Sequence, residues 1–209
     1  MSKSAPDFSF ERRAHDDGAR MVVGVDEVGR GPIAGPVTAA AVWLDGRDIP
    51  SGLNDSKRLG RKRRDILFAA LSRCAKISVA HCSVEEIEAW NIRRAALTAM
   101  RRAVQGLDPT PDLVLIDGRD IPPDLSCPGQ AIVGGDAKSL SIAAASIVAK
   151  VVRDRLMVDL AQQYPGYGWE KNAGYPTKSH VSALSSLGVT PYHRRTFRPV
   201  HNILMQAYS

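Results

Sequence analysis

The sequence predicts an α/β domain built on a mixed five-stranded sheet flanked by helices. Three observations lead there. Five short apolar runs, at 22–25, 37–44, 76–82, 112–116 and 130–133, have the length and composition of strands. The first two are joined by a Gly/Pro-dense turn, with no room for a crossover helix, so they should pair antiparallel. Later strands alternate with helical patterns, which is the signature of parallel pairing.

The chain has 209 residues, enough for one well-buried domain. Its 28 Lys+Arg against 22 Asp+Glu leave a net charge of +6, which suits a polyanionic partner but equally suits plain solubility. The three cysteines, Cys74, Cys82 and Cys127, include no Cys-x-x-Cys pair. Neither a disulfide framework nor a zinc knuckle is indicated, and a reduced, cytoplasmic setting is expected. Residues 1–20 are polar and read as a flexible N-terminal arm without a signal peptide. No apolar run approaches membrane-spanning length, so no membrane partner is expected.

Taken in order, Val22 to Val25 form the opening strand, and Asp26-Glu27 follow at its end. Val37 to Leu44 form the second strand, and Asp45-Gly46 a turn. The 50–60 loop carries a dense polar group, Asn54-Asp55-Ser56-Lys57-Arg58. The 61–75 segment is helical, with Ile66, Leu67, Ala70 and Leu71 on one side. Its start, RKRR, opposes the helix macrodipole unless an anion lies nearby. Ser83 to Glu86 read as a capping-box start, and a helix is expected to run through 91–104. Ile142, Ala145, Ala149, Val152, Leu156 and Leu160 recur at helical steps and define a long helix over about 139–163. Lys178 to Leu187 form a short helix that Gly188 ends.

The chemistry lies in acids at strand ends: Asp26-Glu27, Asp117 after an aliphatic strand, and Asp136 before the long helix. In open α/β sheets ligands gather at the carboxyl ends of strands. Each acid also has an ordinary reading: a surface acid, an Asp-Gly turn residue, or a residue favouring a helix N-terminus. Four carboxylates converging on one point would repel unless a hard cation such as Mg²⁺ or Mn²⁺ joined them. An all-carboxylate site on a basic protein is what metal-assisted phosphodiester hydrolysis needs. Gly29-Arg30-Gly31 with Ala34 also matches a dinucleotide fingerprint, but Pro32, Gly35 and Pro36 oppose the helix that motif opens. A tight turn that lets backbone N–H groups approach a substrate edge fits better.

With those residues in view, the chain resembles bacterial ribonuclease HII, the type 2 ribonuclease H. The resemblance rests on Asp26 to Pro32, Asn54 to Lys57, Ile116-Asp117-Gly118, Gly135-Asp136 with Ser141 to Lys150, and Gly174 to Thr177 with His180, and covers roughly residues 21–200. It implies a ribonuclease H-like catalytic domain over 21–165 and a helical C-terminal extension over 166–209 that contributes to substrate binding. It implies Mg²⁺- or Mn²⁺-dependent cleavage of the RNA strand of RNA–DNA hybrids, and incision 5′ of ribonucleotides embedded in duplex DNA. Asp26, Glu27, Asp117 and Asp136 are then the metal-binding carboxylates. Gly29, Arg30 and Gly31 are the contacts to the ribonucleotide, and Tyr175 packs on the next sugar. Lys57, Lys178, Arg194 and Arg195 are candidate phosphate contacts, with solvated surface charge as the alternative. His180 reads as a structural or substrate-side group, since a hard-metal site does not favour it. Many relatives carry a lysine two residues before the fourth aspartate, where this chain has Gly134. A related type 3 enzyme has an extra N-terminal domain, for which the early position of Asp26 leaves no room. A monomer is expected. The C-terminal tail, with Gln206 and Tyr208, does not make a convincing motif for a replication clamp.

Overall fold

The central strand is β1 (Val22–Val28), whose first five residues are buried. The computed structural model, which describes residues 5–206, sets it in a five-stranded sheet. β2 (Val37–Leu44) lies antiparallel to β1, and β3 (Ala75–Cys82) antiparallel to β2. On the other side β4 (Leu113–Asp117) and β5 (Gly129–Ile132) run parallel to β1 and to each other. The strand order is β3-β2-β1-β4-β5. The mixed sheet therefore changes from antiparallel to parallel at β1. A helix opening after β1 is absent, so the dinucleotide reading of Gly29 to Ala34 falls.

β1 extends three residues past its predicted end, so Asp26 and Glu27 are strand residues rather than strand-end residues. Alternation then sends them to opposite faces. Asp26 is paired with Ala40 and Glu27 with Ala39. Ala40, Val42 and Leu44 face α5 (Leu140–Gln163), together with Leu67 and Leu71 of α2 (Arg61–Cys74). Ala39, Ala41, Val23, Val25 and Ile116 face α4 (Ile92–Gln105), where Ala95, Ala99 and Ala103 keep the contact close. Small residues on both helices let the backbones approach the sheet, and each buried aliphatic side chain contributes about 1.5–3 kcal/mol.

Two expectations need correction. Residues 5–20 are not a free arm; residues 1–4 lie outside the described part. Ser9–Asp16 form a helix, α1. Asp7 forms a parallel bridge with Ser139: Asp7 N donates to Lys138 O (3.1 Å) and Leu140 N donates to Asp7 O (3.0 Å) across the turn before α5. Glu11 of α1 is fully buried, and its Oε1 accepts from Ser139 Oγ (2.5 Å), Ser141 Oγ (2.5 Å) and Ser141 N (2.9 Å). Polarity alone suggested an arm because the anchoring side chain is itself a carboxylate. The helical stretch before 105 is also broken in two. Its first part, α3 (Val84–Trp90), starts with the predicted capping box of Ser83 and Glu86. Asn91 then takes φ 74° and ψ 161°, outside both helical regions, which stops α3, and its Oδ1 caps the N–H groups of Arg93 and Arg94.

The C-terminal segments α6 (Trp169–Asn172), α7 (Lys178–Leu187) and α8 (Arg198–Gln206) pack on the far half of α5. Trp169, Leu184 and Val200 share a cluster there with Met157, Leu160 and Ile33 of the glycine-rich turn. Tyr208 lies outside the described residues. Among the described residues, no helix is long and apolar enough to cross a membrane.

Candidate active site

Three strand or turn elements bring acids together. Asp26 projects from β1, Asp117 ends β4, and Asp136 lies in the short turn between β5 and α5. One oxygen from each of these three lies within 4.8 Å of the others. Asp117 Oδ1 accepts from Gly135 N at 2.7 Å, tying the end of β4 to the turn that carries Asp136. Gly134, the departure noted above, sits at φ 64° and ψ 40°, where a glycine is relaxed and a lysine would be strained. On the α5 side, Ser146 reaches Asp26, and its Oγ donates to Ser56 Oγ at 2.9 Å.

Electrostatics at this cluster are unfavourable without a cation. Burial pushes the Asp26 carboxyl well above the usual carboxylate range, and Glu27, Asp117 and Asp136 add to it. Burial, then Asp117 and Asp55, raises Asp136 to about 6. Lys57 faces the same group. Burial works against its charge, but Asp26, Asp55, Asp136 and Asp117 together raise its pKa. The donor set is all carboxylate oxygen, with no thiolate or imidazole. A hard divalent cation of the Mg²⁺ or Mn²⁺ class fits it.

Glu27 stands apart from the trio. Its Oε1 accepts from Arg30 Nη1 at 3.1 Å, and burial raises its pKa against that pairing. It lines a small cleft on the α4 side with Arg30, Asp117, Arg93 and Asp120.

The turn after β1 is held from behind. Arg194 is fully buried and donates to the carbonyls of Gly29 (2.6 Å), Arg30 (3.1 Å), Pro32 (2.8 Å) and Gly35 (2.8 and 3.0 Å). The expectation that Arg194 contacts phosphate is therefore wrong: its guanidinium is spent on backbone oxygens of this turn. Arg153 of α5, also buried, donates to the carbonyls of Ala34, Pro36 and Ala173. Both guanidinium groups are disfavoured by burial and kept by these carbonyls. Among the described residues, the N–H groups of Gly29, Arg30 and Gly31 find no acceptor in the protein. Tyr175 is 41% exposed and faces Gly31, where a Cβ would meet its ring at 3.4 Å.

His180 holds Tyr175 in place rather than meeting ligand. It is buried, its Nδ1 bonds Tyr175 O at 2.8 Å, and its Nε2 accepts from Trp169 Nε1 at 2.9 Å. Lys178 is exposed at the start of α7. Arg195 is exposed too, with its N–H on Glu88 Oε1. Sequence reasoning missed Arg153 and Ser146. A signal existed for Arg153, a charge on the stripe of Ala149 and Met157.

Comparison with known proteins adds an independent line. A family model described as Ribonuclease HII matches residues 23–200. The ribonuclease HII of Paracoccus denitrificans is 64% identical over 199 residues, covering 95% of each chain. That of Ruegeria pomeroyi is 62% identical over 201 residues, 96% of this chain and 86% of its own. Among solved structures, ribonuclease H2 from Pyrococcus horikoshii OT3 superposes with a TM-score of 0.77 at 28% identity, covering 90% of this chain and 99% of that one.

Proposed function

The chain belongs to the ribonuclease HII family, and from that premise we propose how its site works and on what. It is a type 2 ribonuclease H, a hydrolase that acts on RNA–DNA hybrids. The finer reading is that it also incises 5′ of single ribonucleotides in duplex DNA, leaving 3′-hydroxyl and 5′-phosphate ends, and that it works as a monomer. The observation that carries this reading is the three-carboxylate cluster beside a turn whose N–H groups are free.

Asp26, Asp117 and Asp136 would hold the divalent cations, with Glu27 as the fourth carboxylate. Bound there, two in this reading, the cations would supply a lowered pKa for an attacking water and offset charge on the leaving 3′ oxygen. The chain's own residues do the rest. The N–H groups of Gly29, Arg30 and Gly31 meet the 2′-hydroxyl and its neighbours, which distinguishes RNA from DNA without reading the base. Arg194 and Arg153 fix that turn from behind, so its geometry is set before substrate arrives. Tyr175, oriented through His180, offers its exposed ring to the next sugar. Lys57 lies near enough to the acids to meet the phosphate that they act on. For Lys178 and Arg195, exposed cations on the C-terminal segments, contact with more distant phosphates is proposed.

The test is a labelled DNA duplex with one ribonucleotide, beside an all-DNA control, incubated in Mg²⁺, in Mn²⁺ and in EDTA. A single metal-dependent nick 5′ of the ribonucleotide, absent from the control, is expected. Cutting of both duplexes would overturn the reading in favour of a nuclease that ignores the 2′-hydroxyl. Binding without product in either metal would leave a silent hybrid-binding module. Asp117→Asn should keep the fold and lose cleavage.

A further inference from the structure

The basic start of α2, Arg61 to Arg64, is not used by the site described above. The helix has Gly60 as its N-cap, no side-chain cap and no acid in its first turn. Its N–H groups and four cations therefore place positive charge together, which costs stability unless something anionic answers it. Part of that charge is used internally. Arg63 donates to Ser51 O, and Arg64 to Ser56 O and Leu59 O. Arg61 is exposed and, among the described residues, has no ion-pair partner.

Arg61 opens onto a cleft of about 200 Å³ lined also by Arg64, Lys150, Asp154, Glu170 and Lys171. Four cations thus face two carboxylates. Asp154 is engaged by Lys150 (2.8 Å) and Arg64 (3.7 Å), which holds those two cations at the wall. Lys171 is exposed and likewise without an ion-pair partner among the described residues. The cleft's position matters as much as its charge. Ser146, Lys150, Asp154 and Val158 lie at four-residue steps on α5. Ser146 acts on the Asp26 carboxyl, and Lys150 lies one turn, about 6 Å of rise, beyond Ser146 on the same stripe. Arg64 bonds the backbone of Ser56, the neighbour of Lys57. Ala173, on the opposite wall, is two residues from Tyr175. The cleft is therefore flanked by the segment that carries Lys57, which faces the acids, and by the segment that carries Tyr175, which faces Gly31.

We propose that the cleft between α2 and the 169–173 segment, walled by Arg61, Arg64, Lys150 and Lys171, binds a backbone phosphate of the duplex flanking the scissile bond. The proposal rests on the functional reading above and deepens it. Phosphates recur every 3.4 Å of axis along a strand, so a duplex seated on the acids brings others across this wall. Contacts of this kind position a duplex without reading its sequence.

The test uses the full chain. Arg61→Glu/Lys171→Glu changes two exposed residues and leaves the Asp154 pairings intact. A control pair, Arg73→Glu/Arg13→Glu, reverses two exposed arginines that do not line the cleft. Each is built in the active chain and in the Asp117→Asn chain. Cleavage of the one-ribonucleotide duplex gives KM and kcat, and anisotropy with the Asp117→Asn chains gives affinity from 50 to 200 mM KCl. The cleft pair is expected to raise KM with kcat unchanged. Its salt slope should be shallower by about 0.9 per lost phosphate contact, so the parent loses about 3.5-fold more affinity per contact over that range. A slope and KM equal to those of the control pair would overturn the proposal. Failure of the parent chain to cut or bind this duplex would instead overturn the functional reading, and the phosphate site with it.

Discussion

Replacing Glu11 tests whether α1 is part of the site or an ornament on it. In Glu11→Ala the three hydrogen bonds to Oε1 disappear. The two hydroxyls keep a partner, because Ser139 Oγ and Ser141 Oγ are already 3.1 Å apart and Ser139 Oγ also accepts from Ile142 N. The Ser141 N–H has no such alternative and is left buried and unpaired, at a cost of about 1–3 kcal/mol. Two charge-assisted bonds add about 1.5–3 kcal/mol each, set against several kcal/mol recovered by no longer burying a carboxylate, whose Oε2 is itself unpartnered. The net expectation is a loss of about 2–3 kcal/mol. For a chain of this length that lowers Tm by roughly 4–12 °C. The damage is local to the turn that carries Asp136, because Asp7 and Glu11 both bind at residues 138–141. The Mg²⁺ concentration for half-maximal activity should therefore rise, while Glu11→Gln, which keeps one acceptor, should recover part of the Tm. Calorimetry and a metal titration measure both. A Glu11→Ala protein whose Tm stays within 2 °C of the parent, with an unchanged metal requirement, would refute the anchoring role.

Three further outcomes follow from the same geometry. Gly24 lies where a Cβ would run into the backbone of Ser141 and Ile142, and backbone cannot rotate away. Gly24→Ala should therefore cost about 3 kcal/mol or more, seen as a reduced denaturation midpoint; a neutral effect would mean that α5 does not pack on β1 as described. Arg194→Lys cannot serve all four carbonyls of the turn, so it should raise KM for the one-ribonucleotide duplex more than it lowers kcat, and weaken discrimination against all-DNA duplex. The metal-free protein should lose stability as pH rises. Below the unfolded carboxylate value both states hold the proton; between there and about 6 the unfolded chain releases the Asp136 proton first, and Asp26, also raised by burial in the fold, acts in the same direction. Mg²⁺ should consequently raise Tm much more at pH 8 than at pH 5, and equal shifts at the two pH values would contradict the raised carboxylates.

How much of this was legible beforehand depends on what kind of interaction fixes each part. The five strands, the long helix and its apolar stripe follow from periodicity, which hydrophobic burial imposes on neighbouring residues, and all are present near their expected ends. The acids were legible for a related reason: an aliphatic strand has no structural use for Asp26 or Asp117, so their cost pointed to a partner. What stayed hidden depends on contacts between residues far apart in sequence. Arg194 reads as a surface cation until the fold brings the oxygens of Gly29, Arg30, Pro32 and Gly35 around it, more than 150 positions away. Glu11 is the same case in acid form, buried 128 residues from its first partner. In both, a charge that local pattern assigns to solvent instead satisfies backbone groups that a tight turn or a helix start leaves unpaired. Charged residues beside a glycine-rich turn thus divide into those left facing outward, such as Arg30, and those that shape the turn, such as Arg194. Separating the two requires the tertiary contacts, because both kinds have the same composition and the same spacing.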